Sequence, residues 1–367
     1  MITQKILIFG VTGNYAKIKV MPALKQYYEF YSKQINIEIY GYSRSQPNLE
    51  ELKNILGDEA FAKTTFKQGD YSDVGFLDYL IKDLKTNDRL IVYLAVPPSV
   101  YVDFLKNSCP YSESSIDILI EKPFGRSLEE AQEILQVSMD CHLHRNIHFV
   151  DHYLFKSATR VNLSEIGKNL DLNFADLQKI EIQALETIDI KDRAGYYDET
   201  GAIKDMFPHL YSLFNHSLKL FATEQSPKWQ TISTEIKQYE DYKTDVNNAD
   251  SSTETYFQTK LKGYFANQVV DVFFESGKKQ NQKLTTINLT LKNDLFLEYQ
   301  IAPESIIKLY KKGKLIREIP IFITTKLDHT KVFEDVTQYN FNSFIGTDEI
   351  LDYWHIYNDI KNKIDEI

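Results

Sequence analysis

The chain has 367 residues, 43% hydrophobic and 26% charged, an ordinary globular balance whose length argues for two domains rather than one. A net charge of −10 excludes general attraction to nucleic acid or anionic membrane, so any anionic ligand must be held by a local cluster of Lys and Arg. Two cysteines, Cys109 and Cys141, fit a reducing compartment without a framework of bridges; with no apolar run near the roughly 18 residues of a membrane span and no signal pattern at the N-terminus, the cytoplasm is the expected location.

Lys5 to Phe9 reads as a short apolar strand, followed by a glycine-containing turn and an amphipathic stretch from Ala16 to Tyr31. Ile35 to Tyr40, Leu90 to Ala95 and Ile116 to Ile120 read as further strands, with helical segments such as Leu49 to Leu56 and Ser127 to Ser138 between them. Strands separated by helices predict βαβ units, so residues 1–150 are expected to form a Rossmann domain with a doubly wound parallel sheet. From about His152 the pattern changes. A strand-like run, Leu177 to Leu185, precedes a helix from about Asp205 to Leu220. Strands then dominate: Thr253 to Lys262, Val269 to Phe274, Leu284 to Lys292, Phe296 to Ile301 and Ile306 to Lys311. Residues 151–367 are therefore expected to form an α+β domain with a mostly antiparallel sheet, a polar loop at Asp241 to Ser252 and a helical tail from Gly346.

The first turn carries the clearest chemistry. Gly10-Val11-Thr12-Gly13-Asn14-Tyr15-Ala16 follows a strand and opens a helix. Gly10 permits the tight turn, Gly13 lets the backbone approach a pyrophosphate, and the small Ala16 lets helix pack on strand; the helix N-terminus offers N–H groups to the anion. At the end of the second strand, Ile39-Tyr40-Gly41-Tyr42-Ser43-Arg44-Ser45 lacks the acid that usually binds the ribose of NAD. Arg44 can instead pair with a 2′-phosphate, so NADP is favoured over NAD. Cys141-His142-Leu143-His144 with His148 does not have the spacing of a tetrahedral zinc site, and no metal is expected.

Several segments in order resemble the glucose-6-phosphate dehydrogenase family: the glycine turn and first helix, Gly41 to Ser45, Tyr93-Leu94-Ala95-Val96-Pro97-Pro98, Glu121-Lys122-Pro123-Phe124-Gly125 and Asp151-His152-Tyr153-Leu154-Phe155-Lys156. Gly195 to Asp205, Thr253-Glu254-Thr255-Tyr256, Ser276-Gly277-Lys278 and Thr347-Asp348-Glu349 continue the match. The resemblance implies oxidation of a sugar phosphate, by default glucose 6-phosphate at C1 to the lactone, with hydride transfer to NADP. It implies His209 as base, Asp151 as the carboxylate orienting it, and Lys122 between cofactor and substrate. Gly10, Thr12, Gly13, Asn14, Tyr15, Ala16, Arg44, Ala95, Pro97, Pro98, Glu121 and Lys122 would face the cofactor. His152, Tyr153, Lys156, Lys278 and Lys283 would clamp the phosphate; Glu186, Asp205 and, more loosely, Gln300 would accept from sugar hydroxyls. Homodimer contacts through the C-terminal sheet are a further expectation of the resemblance.

Three departures keep a second reading open. Only Met206-Phe207-Pro208 separate Asp205 from His209, one residue fewer than in the family, which puts both on one helix face. That Asp-x-x-x-His spacing resembles the inositol dehydrogenase and glucose–fructose oxidoreductase group, which would oxidise another carbon of a phosphorylated or amino sugar. Pro208 is expected near a helix start, close to Asp205. Lys191 and Asp192 replace an acid and a glycine beside Arg193, and the second domain is shorter than usual. A non-catalytic nucleotide-binding regulator is a third reading, opposed by the presence of Lys122, Asp151 and His209.

Overall fold

The computed structural model describes residues 2–73, 75–223 and 225–365, and the chain divides into two compact units. The first comprises Met1–Phe155 and Thr325–Leu351, the second Lys156–Thr324 and Asp352–Ile367.

In the first unit, β1 (Thr3–Phe9), β2 (Asn36–Ser43), β3 (Thr64–Gln68), β4 (Arg89–Leu94), β5 (Ile116–Glu121) and β6 (Ile147–Val150) form one parallel sheet in the order β3-β2-β1-β4-β5-β6. Strands β4 and β5 are buried almost throughout, as a parallel sheet with two covered faces requires. The connecting helices are α1 (Met21–Tyr31), α2 (Leu49–Phe61), α3 (Gly75–Lys82), α4 (Tyr101–Ser108) and α5 (Leu128–Asp140). Two start at side-chain caps: Asn48 accepts from the N–H groups of Glu50 and Glu51, and Ser127 from that of Glu130. The strand order reverses between β1 and β4, and an α/β sheet opens its ligand crevice at the carboxyl ends of such a pair.

One expectation from composition is corrected here. Cys109 and Cys141 are joined by a disulfide, with their Cα atoms 4.7 Å apart. They are the C-cap residues of α4 and α5, two packed helices ending at the same level, a proximity that a cysteine count cannot reveal.

The second unit holds an eight-stranded sheet of β7 (Leu177–Leu185), β8 (Lys228–Lys237), β9 (Tyr256–Tyr264), β10 (Val269–Gly277), β11 (Leu284–Leu291), β12 (Leu295–Ala302), β13 (Ile306–Lys311) and β14 (Lys314–Pro320). The order is β14-β13-β12-β11-β7-β10-β9-β8, antiparallel except where β7 runs parallel to β10. Burial alternates along the central strands, so one face is apolar. Helix α6 (Leu163–Asn169) precedes the sheet; α7 (Ala194–Leu218) covers the apolar face, with Phe207 edge-on to Phe274 at 5.2 Å and Phe214 edge-on to Trp229 at 5.0 Å. The short α8 (Tyr242–Asp245) interrupts the polar stretch expected to be a loop. Helix α9 (Asp328–Thr337) belongs to the first unit, and α10 (Thr347–Asp365) ends the chain.

Helix α7 is broken at Gly201, where φ is 72° and ψ is 171°, and it restarts at Ala202. The restart therefore comes earlier than Asp205, and Pro208 lies inside the helix rather than at its first turn. Glu254 accounts for the start: its carbonyl accepts from Ala202 N–H at 2.9 Å and its carboxylate from Ile203 N–H at 3.0 Å. Two of the orphan N–H groups of a helix start are thus satisfied from β9's approach, and the helix continues through the one bond that Pro208 cannot donate.

Candidate active site

At the carboxyl end of β1, Gly10 has φ +99°, and a Cβ there would stand 2.3 Å from the carbonyl oxygen of Ala95. Only glycine fits this close crossing of the turn over the end of β4. Its N–H donates to Tyr42 O at 2.8 Å, and Ala95 N–H donates to Phe9 O at 2.8 Å, so the ends of β1, β2 and β4 are tied together. Gly13 N–H donates to Gly10 O at 3.0 Å and its own carbonyl accepts from Lys17, placing the helix start directly after the turn. The five residues Ala16–Val20 form a π-helical turn before α1. Thr12 and Ser45 share a hydrogen bond at 3.0 Å across the β1 and β2 ends. Arg44 is exposed, its guanidinium 4.9 Å from the centre of the Tyr71 ring, and its carbonyl accepts from Gln68. An exposed guanidinium resting on an aromatic face beside two hydroxyls suits a phosphate ester.

The carboxyl ends of β4 and β5 carry the remaining candidates of this unit. Pro97 precedes a turn at Pro98–Val100, and Lys122 joins Pro123 by a cis peptide bond. Glu121 is nearly buried, and its Oε1 accepts a short hydrogen bond from Tyr93. His329 Nε2 stands 3.1 Å from the same oxygen and 2.7 Å from the Tyr15 hydroxyl. Burial, and next the charge of Glu121, hold the Tyr15 and Tyr93 phenols well above their usual range. His152 stacks on His329 with ring centres 6.0 Å apart. Asp151 is fully buried and accepts from Tyr153 N–H at 2.9 Å, which starts the turn carrying His152 and Tyr153. Lys331, buried on α9, donates to Phe155 O at 2.9 Å. No motif pointed to His329 or Lys331. Hydropathy reads their helix as surface, although its polar residues His329, Lys331, Glu334 and Asp335 are all buried.

In the second unit, parallel pairing sets Gly277 beside Leu185, so the residues that follow, Lys278 and Glu186, leave the sheet side by side. Lys278 is 2% exposed, its Nζ donates a short hydrogen bond to Glu186, and it stands 3.2 Å from Asp205 on α7. One ammonium between two carboxylates leaves an excess negative charge and several acceptor lone pairs. Tyr197 packs against the group, its ring centre 5.7 Å from Lys278 Nζ; burial, and next the charge of Asp205, push its phenol far up. His209 is buried one helical turn after Asp205. Lys156 opens this unit and is half-buried, Gln300 is half-buried on β12, and Lys283 is exposed just ahead of β11, whose Leu284 pairs with Leu185, the residue before Glu186. Of the departures beside Arg193, Lys191 pairs with Asp189 and Asp245 at 3.6 Å each, while the side chain of Asp192 lies outside the described set.

Residues 7–160 match the family model described as glucose-6-phosphate dehydrogenase, NAD binding domain. The chain is 29% identical over 324 residues to a glucose-6-phosphate 1-dehydrogenase of Encephalitozoon cuniculi, covering 80% of this chain and 69% of that protein. A cytoplasmic glucose-6-phosphate 1-dehydrogenase of Arabidopsis thaliana is 24% identical, with 98% and 86% covered. Among solved structures, the glucose-6-phosphate 1-dehydrogenase of Mycobacterium avium superposes with a TM-score of 0.81 at 20% identity, over 98% of this chain and 92% of that one. An aldose-aldose oxidoreductase of Caulobacter crescentus shares the fold more distantly, with a TM-score of 0.66 at 13% identity over 99% and 98%. Through residues 7–160 the chain carries the nucleotide-binding domain of the glucose-6-phosphate dehydrogenase family, and the relatives that it matches along most of its length are glucose-6-phosphate dehydrogenases.

Proposed function

We propose that the protein oxidises a sugar phosphate with NADP, by default glucose 6-phosphate at C1 to the 6-phosphogluconolactone. The observation that carries this reading is the Lys278–Glu186–Asp205 group, with Lys278 and Asp205 buried and Asp205 one helical turn from His209. Carboxylates fixed by a lysine are strong acceptors for sugar hydroxyls, and an imidazole one turn further along the helix suits proton transfer. The residues at the Rossmann edge fit a dinucleotide: a turn that admits no Cβ at Gly10, helix N–H groups after Gly13, and the exposed Arg44 for a 2′-phosphate. When bound, the nicotinamide ring accepts the hydride.

His209 takes the proton of the hydroxyl as the carbon–hydrogen electron pair leaves, so proton and hydride part and a carbonyl remains. Asp151 is assigned to orient His209, a base-and-orienter pair. Lys122 and Glu121 are assigned to the region between cofactor and sugar. His152, Tyr153, Lys156 and Lys283 are assigned to the phosphate. Lys278, already neutralised by two carboxylates, suits the sugar ring better than the phosphate, which is a change from the role implied by resemblance.

The test is absorbance of reduced nicotinamide with purified protein, NADP or NAD, and a panel of sugar phosphates and free sugars. Reduction with glucose 6-phosphate and NADP is the expected result. Turnover of another sugar instead would move the protein to the wider oxidoreductase group, the reading favoured by the Asp205-to-His209 spacing. His209→Asn is expected to lower kcat by roughly 10²–10⁴-fold while NADP still binds; retained turnover would take the base role away from His209.

A further inference from the structure

In the buried cluster at the carboxyl ends of the first unit's strands, His329 is the member that belongs to no motif. His329 comes from α9, more than two hundred residues after Glu121, yet its Nε2 meets the Glu121 carboxylate at 3.1 Å and the Tyr15 hydroxyl at 2.7 Å. Tyr93 donates to the same carboxylate oxygen, and the Tyr101 hydroxyl donates to the Glu121 carbonyl at 3.2 Å. Tyr15 is the second residue after Gly13, in the first turn of the helix that follows the glycine loop; Glu121 is the last residue of β5 and immediately precedes Lys122. One imidazole nitrogen therefore bridges the two chain segments that flank the cofactor crevice.

A carboxylate this buried is costly unless donors surround it. With its hydrogen on Nε2, the imidazole shares that one N–H between the Tyr15 hydroxyl and the Glu121 carboxylate, beside the bond that Tyr93 donates. Remove the imidazole, and the Glu121 carboxyl loses one of its partners in a place water barely reaches. The side chain will then turn, and the adjoining Lys122 and the Tyr15 turn lose their common anchor.

We propose that His329 is a positioning residue for the nicotinamide half of the cofactor site, acting through Glu121 and Tyr15. The proposal rests on the reading that this edge holds NADP. The adenosine half is remote from His329 in construction: it depends on Thr12, Arg44 and Ser45 at the ends of β1 and β2, whereas the cluster lies at the ends of β4 and β5. In a doubly wound sheet the dinucleotide runs across the switch point from one half to the other. Loss of His329 should accordingly be felt by the whole dinucleotide and not by its adenosine fragment.

The experiment measures calorimetric binding of NADP⁺ and of adenosine 2′,5′-bisphosphate to the full chain, His329→Phe and His329→Gln. Phenylalanine keeps a ring in the buried site and removes both nitrogens; glutamine keeps a donor. The expected result is a tenfold or greater rise in the NADP⁺ Kd for His329→Phe, an unchanged Kd for the bisphosphate, and substantial recovery of NADP⁺ binding in His329→Gln. An unchanged NADP⁺ Kd in His329→Phe overturns the proposal. So does an equal weakening of both ligands, which is what general loosening of the unit would give. If the unaltered chain binds neither ligand, the cofactor reading itself fails and takes the proposal with it; binding by the unaltered chain with no differential effect sinks the proposal alone.

Discussion

At the scale of single residues, what a sequence displays depends on how local the physics is. Gly10 is legible because its constraint is carried by its own backbone angle and by a crossing strand that always lies there in this fold. Arg44 is legible because it stands where an acid would stand for NAD. The structure adds that its guanidinium rests on Tyr71 and is exposed, with Thr12 and Ser45 hydrogen-bonded nearby. Arg44→Ala should therefore weaken NADP by about 1–3 kcal/mol while leaving NAD almost unaffected, the loss expected for one charge-assisted contact. Steady-state KM values for the two cofactors check this, and an unchanged ratio would remove the 2′-phosphate assignment. His329 was not legible, because nothing local marks it: it acquires its partners only when α9 returns to the sheet. Lys278 lies between these cases. Its presence was noted, but its two carboxylate partners come from the residue after β7 and from α7, and they change what the ammonium can bind.

At the scale of elements, strands with a continuous or alternating apolar pattern were readable to within a few residues. Leu177–Leu185 and Ile306–Lys311 have the expected bounds. The strands β3, β8 and β14 were missed because they are edges or near-edges rich in exposed residues; β14 is exposed along almost its whole length. Edge strands carry charge to discourage further pairing, which erases the pattern by which strands are found. Helix α7 shows how a start can be set from elsewhere. Its restart at Ala202 is fixed by Glu254, a residue beyond β8, and a Cβ on Gly201 would stand 2.5 Å from the Glu254 carboxylate oxygen. Burial holds the Glu254 carboxyl above its usual range, although the Ile203 N–H pulls the other way. Removing this cap in Glu254→Ala should cost about 1 kcal/mol of stability, as for other helix caps, and Glu254→Gln, which keeps an acceptor, should restore most of it. Because Asp205 and His209 ride on the capped segment, kcat should fall with the alanine variant. Urea denaturation and turnover together check the prediction; an alanine variant with unaltered midpoint and kcat would show that the cap has no influence on the segment.

At the scale of the whole chain, nothing in composition marks the return of Thr325–Leu351 to the first unit, since both units have ordinary globular content. The partition nevertheless makes them separately observable. Both tryptophans of the sequence, Trp229 and Trp354, lie in the second unit, so tryptophan fluorescence follows that unit alone. His216, buried on α7 in the same unit, provides a test of its acid stability. Burial, and next the charge of Lys219, push the imidazole down from 6.5 to about 3. Its folded form is thus neutral, while the unfolded chain takes up a proton below its ordinary value. Stability from this group is complete above pH 6.5 and is lost as pH falls toward 3, at up to about 1.4 kcal/mol per pH unit. From pH 7 to pH 5 the loss due to His216 should reach about 2 kcal/mol. His216→Leu changes the absolute stability through packing, but it cannot take up that proton, so its fluorescence-monitored urea midpoint should fall less over the same interval. All other titrating groups are shared by the two proteins and cancel in the difference. Parallel pH profiles for the variant and the unaltered chain would mean that water or a moving neighbour already solvates the imidazole, and that the core beneath α7 is more open than its packing suggests.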